Sequence, residues 1–127
     1  MEQSKTLQEA YVTFLASHRQ FRRFLITERM AVELVSVEGE EVAVIDGATE
    51  RWEALDNTYA RVQLLVGETV VDDAARALGL AVRQIAAARG RHGPGQVPGD
   101  VLRACWAAEN AFADAARADL ERRVSRR

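Results

Sequence analysis

Apolar side chains recur at spacings of four and three through the first part of the chain. Leu7, Tyr11, Phe14, His18, Phe21 and Leu25 fall on one face of a helix, and Leu15 and Ile26 widen it. Thr6 and Glu9 have the spacing of a capping box, in which hydroxyl and carboxylate satisfy backbone donors left open at a helix start. The pattern can be followed through Met30, Val32 and Val35 to Gly39, so a first helix is expected over about 6–36. Residues 32–47, VELVSVEGEEVAVIDG, are also rich in β-branched side chains around a central glycine, a pattern that a short hairpin would share. A two-stranded hairpin is marginal unless it packs against something, and the flanking segments are helical. Helix, turn, helix is therefore the preferred reading.

The clearest rhythm follows. Ile45, Ala48, Trp52, Leu55, Tyr59, Val62 and Val66 are spaced 3, 4, 3, 4, 3, 4, while Glu50, Arg51, Glu53, Asp56, Asn57, Arg61 and Gln63 fill the outer positions. This predicts a second helix over about 41–66, stopped at Gly67, with Thr69 and Asp72 opening a third. That third helix, 69–89, carries Val71, Ala74, Leu78, Ala81, Ile85 and Ala88 on its apolar face. Gly79 weakens its middle by about 1 kcal/mol relative to alanine. GRHGPGQVPG, residues 90–99, reads as the irregular connection. Asp100 can then cap a last helix over 100–124, with Leu102, Cys105, Trp106, Glu109, Phe112, Ala116 and Leu120 on one side.

Short connections between successive helices predict one all-α domain spanning 1–127, an antiparallel up-down-up-down four-helix bundle. No repeat of solenoid length is visible. The apolar volume is uneven. Three of four phenylalanines, both tyrosines and Trp52 lie in the first two helices, whereas 15 of 22 alanines lie at or beyond Ala74. The last two helices can therefore approach closely, or leave an alanine-rich face for another chain.

Composition sharpens this picture. A chain of 127 residues, 48% hydrophobic and 28% charged, has the size and balance of one folded domain and not of a disordered chain. Its 16 arginines against the single Lys5, like its alanines, suit helices and also suit GC-rich codons. Cys105 is the one cysteine, the opening MEQSKTLQEAY lacks the basic and apolar regions of a signal peptide, and no apolar run has membrane-spanning length. A cytoplasmic setting is expected. The net charge of −2 conceals segregation: residues 1–29 carry +2, residues 30–75 carry −9 and residues 76–127 carry +5.

Candidate chemistry is sparse. His18 interrupts an apolar stripe, Glu109 follows Cys105 by four residues, and the three could converge across a bundle core. Metal-binding spacings such as Glu-x-x-His, His-x-x-x-His or Cys-x-x-Cys are missing, so neither metal nor cofactor is expected. Cys105 reads first as a small buried apolar residue, and Tyr11, Phe14 and Phe21 as core. His18, Trp52, Tyr59, Cys105 and Glu109 remain the residues that could line an interhelical pocket, the alternative being a small-molecule-binding bundle or a small enzyme. His92 lies in the glycine-rich segment, whose spacing does not match a phosphate-binding loop. The tail carries Arg122, Arg123, Arg126 and Arg127, a possible contact for nucleic acid or an acidic protein, although arginines there also complement a helix dipole.

The stretches Tyr59-Ala60-Arg61-Val62-Gln63-Leu64-Leu65 and Phe112 to Leu120, FADAARADL, resemble segments of uncharacterised small all-helical proteins of high-GC bacteria. The resemblance implies a helical bundle with an arginine-rich last helix, and no reaction. The sequence thus points to a non-enzymatic interaction module, with a protein partner or self-association ahead of a small-molecule ligand or nucleic acid, and no membrane.

Overall fold

Residues Glu2–Thr27 form α1, and the six residues of its expected stripe, Leu7 to Leu25, are each at most 4% exposed. In this computed structural model, which describes residues 2–29, 31–67, 69–93 and 95–125, α1 is followed by β1 (Val32–Val37) and β2 (Glu40–Ile45). Then come α2 (Thr49–Val66), α3 (Val70–His92) and α4 (Gly99–Ser125). The helix already begins at Glu2, so Thr6 and Glu9 lie within α1 and do not cap it. Asp100 likewise sits in the first turn of α4, where the Pro98 carbonyl accepts from the amides of Val101 and Leu102. Met30 lies outside the described residues.

The expectation of helix over residues 32–47 is corrected. These residues pair as an antiparallel hairpin in the register Val32↔Ile45, Leu34↔Ala43 and Val37↔Glu40, so the fold is mostly helical with a two-stranded sheet rather than all-α. Glu38 and Gly39 both have positive φ, 52° and 84°, as the tight two-residue hairpin turn requires. The Asp46 amide donates to the Ala31 carbonyl and extends the ladder one step. The hairpin does pack against something: Val32 and Leu34 lie on Gly90 of α3, and Ile45 is buried in the core. Ile45 and Ala48 therefore occupy the buried side expected of them, although neither is inside a helix.

The end of α1 has a long-range cause. Arg89 of α3, itself buried, donates from Nε to the Leu25 carbonyl and from Nη2 to the Glu28 carbonyl, each at 3.0 Å. It thereby satisfies acceptors that a helix terminus leaves open.

Contacts along α1 place its neighbours. Phe14 meets Phe112 of α4 with centroids 4.6 Å apart, Tyr11 bonds Asp119, and Arg22 bonds Glu109, so α4 residues descend as α1 residues ascend. Phe21 stacks edge-on against Trp52 of α2 at 4.5 Å, and Ser17 bonds Thr58. Gly67, at φ 64°, ends α2, and Thr69 accepts from the Asp72 amide to open α3, both as expected. Alanines 75, 81, 86, 88 and 116 are buried, so part of the alanine-rich surface of α3 and α4 is closed within the chain. Among the described residues no helix is long and apolar enough to cross a membrane.

Candidate functional site

The five residues considered for one pocket are divided among three places. Cys105 and Glu109, one turn apart on α4, face α1. Glu109 is 3% exposed and accepts from Arg19 Nε at 3.0 Å and from Arg22 Nε at 2.5 Å and Nη2 at 3.3 Å. The Cys105 thiol donates to the same carboxylate at 3.6 Å. Burial, reinforced by that carboxylate, pushes the thiol up to about 12, so it is a poor nucleophile. The cluster is a satisfied ion pair bridging two helices, and it shares no hydrogen bond with His18 among the described residues.

His18 and Tyr59 meet elsewhere. They line a cavity of about 160 Å³ between α1, α2 and α3, with Phe14, Leu55, Ala75 and Gly79 as further walls. The Phe14 carbonyl lies 2.8 Å from Nδ1 of His18, and a carbonyl only accepts, so Nδ1 carries the proton. Burial lowers the imidazole below its ordinary value, and the bond to Phe14 only partly offsets this. The ring is therefore neutral, with an accepting Nε2. That atom has no hydrogen-bond partner among the described residues, yet it is not a sealed, unsatisfied group. It opens onto the cavity. Tyr59 donates to buried Asp72 at 2.7 Å and accepts from Arg76 at 2.9 Å, which fixes the adjoining wall.

Trp52 belongs to a larger groove of about 530 Å³ between β2 and the helices α2 and α3. Val42 to Ile45 form one side, and Trp52, Ala86 and Ala87 the other. Asp56 and Arg83, 3.6 Å apart, line both this groove and the His18 cavity, so one loose ion pair stands between the two spaces. The hairpin offers its own surface. Val35 and Val42 are cross-strand partners, and with Val37 and Val44 they leave the outward face between 38% and 53% exposed at each valine. Closure of the ladder at the pair of Val37 and Glu40 makes Val35–Val42 and Glu33–Val44 the hydrogen-bonded pairs. The amides and carbonyls of Glu41 and Ala43 then point out from the β2 edge.

Asp56 and Arg83 were not separable in the sequence from an ordinary solvated helix face. The advance signals for the cavity were His18, a polar residue on an apolar stripe, and Tyr59; Gly79 showed only as a glycine in the middle of a helix. In the tail, Arg122 and Arg123 pair with Asp119 at 3.3 and 2.8 Å, while Arg126 and Arg127 lie outside the described residues. Burial tends to raise the Asp119 carboxyl, but hydrogen bonds from Tyr11 and Arg123 and the charges of both arginines outweigh it and leave it lowered. The chain matches no family model, no curated protein and no solved structure.

Proposed function

We propose that this chain is a protein–protein interaction module that catalyses no reaction, an antiparallel up-down-up-down four-helix bundle whose hairpin takes an extended, basic segment of a partner as a third strand. The outer edge of β2 above the groove carries this reading. Backbone donors and acceptors on a sheet edge are a template for strand addition, and flanking apolar space receives alternate side chains. The valine face beside it supplies hydrophobic area at the same place. A cytoplasmic setting belongs to the proposal, with Cys105 the one cysteine and buried.

The partner's charge follows from the rim. Glu33, Glu38, Glu40 and Asp46 are exposed and make no ion pair among the described residues; only Glu41 is engaged, by Arg91. A basic strand gains from these charges, whereas two hairpins of this chain brought edge to edge would oppose like charges. A peptide of alternating lysine and valine, titrated by fluorescence polarisation, tests the reading. It should bind saturably, weaken as salt is added, and fail to bind Ala43→Pro, which removes one outward amide and spares the inner ladder. Binding indifferent to that substitution, or concentration-dependent dimers in light scattering with no uptake of peptide, would overturn it.

A further inference from the structure

We infer that the cavity between α1, α2 and α3 is a binding site for a short hydroxycarboxylate, whose hydroxyl donates to Nε2 of His18 and whose carboxylate is held by Arg83. The inference is independent of strand addition at the hairpin. Its first support is His18 itself: the side chain is 2% exposed, Nδ1 is spent on the Phe14 carbonyl, and Nε2 alone remains to face the cavity. A neutral Nε2 accepts, so the complementary ligand must donate, and a hydroxyl does so where an anion alone cannot.

Gly79 is the second support. A Cβ at this position would meet Arg83 Nη1 at 3.4 Å and stand 4.0 Å from His18 Nε2, ordinary contact distances with no clash. Its φ lies outside the left-handed region, so the backbone does not demand glycine. Alanine would fit and would favour the helix, yet it would intrude between Nε2 and Arg83. The glycine keeps that approach open at the expense of α3.

Charge and volume set the rest of the ligand. Arg83 and Arg76 bring two guanidiniums to the walls against the one carboxylate of Asp56, and Arg76 is already held by Asp72 at 3.2 Å. Arg83 is different: its 3.6 Å contact to Asp56 is too long for a hydrogen bond, and both side chains are more than half exposed. It can turn to a ligand carboxylate at little cost. Phe14, Leu55 and Ala75 leave an apolar floor for a short carbon chain. At about 30 Å³ per water, the 160 Å³ cavity admits a molecule of a few heavy atoms and excludes a nucleotide.

The test uses the whole chain labelled with nitrogen-15 at histidine. Titration with 2-hydroxybutyrate should shift the His18 Nε2 resonance saturably, and butyrate, lacking the donor, should bind about tenfold more weakly. Arg83→Gln should weaken 2-hydroxybutyrate by a similar factor with the melting temperature unchanged. Gly79→Ala should raise the melting temperature by about 4 °C while abolishing the shift, a combination that unfolding cannot produce. No saturable Nε2 shift up to tens of millimolar, equal binding of the two acids, or full binding by Gly79→Ala would each overturn the assignment.

Discussion

A Cβ on Gly90 would stand 2.9 Å from Leu34 Cγ, so the hairpin lies on α3 at a glycine, where that helix has no side chain to hold it off. Replacing Gly90 by alanine should gain about 1 kcal/mol in helix propensity and lose roughly 1–3 kcal/mol to overpacking. Global stability should therefore fall by at most about 2 kcal/mol while the hairpin is displaced. Hydrogen exchange should show lost protection across β1 and β2 with α1 unaffected; Leu34→Ala in the same chain should restore it.

Glu109 holds together two arginines of α1. Glu109→Ala leaves Arg22, whose side chain is only 14% exposed, without its counter-ion, and should cost about 3 kcal/mol or more. Denaturant unfolding reads this as a lower midpoint with an unchanged slope. Glu109→Gln, which can still accept from an arginine, should cost less.

The thiol of Cys105 should be silent. With its value pushed up to about 12 and the residue buried, a disulfide reagent added to the folded chain at mildly alkaline pH should react only at the rate of unfolding. Fast stoichiometric labelling would contradict the packing of Cys105 against Glu109. Unfolding the chain in denaturant should release one reactive thiol.

Two groups set the acid limb of stability, with the same sign. His18 is lowered from its ordinary 6.5, so below that value the unfolded chain takes a proton that the folded chain refuses, and stability falls as pH falls. Asp119 is lowered from 3.8; its contribution is complete above that value and is lost as pH drops through the depressed folded value. Thermal unfolding across this range should therefore show a decline beginning near 6.5 and steepening below 3.8. Asp119→Asn should remove the lower part alone.

Much of the helical frame was legible in the sequence because burial there follows one period. The stripe Leu7 to Leu25 is buried as its spacing requires, and so are Cys105, Glu109, Phe112 and Ala116; Trp106, expected on the same side of the last helix, is instead 46% exposed, because it follows Cys105 by one residue and so points about 100° away from it around the helix. The hairpin was not legible, because Val32 to Ile45 is too short to separate strand from helix by period, and what decides it is Gly90, more than forty residues away. The extent of α1 failed for a similar reason: its terminal carbonyls are met by Arg89, which no local capping pattern reveals. The candidate site was half legible. His18 stood out as a polar residue on an apolar stripe, but its grouping with Trp52, Cys105 and Glu109 needed to know which neighbour each helix face meets. His18 and Tyr59 turn to one cavity, Trp52 to the groove, and Glu109 to Arg19 and Arg22.

Strand addition at β2 is tested most directly by amide hydrogen exchange of Glu41 and Ala43 with and without the lysine–valine peptide. Both amides point outward from the hairpin, so they should exchange rapidly in the free chain and become protected together on binding. Those of Val42 and Val44, already inside the ladder, should change little. Protection elsewhere on the chain with Glu41 and Ala43 still exchanging freely would contradict the account.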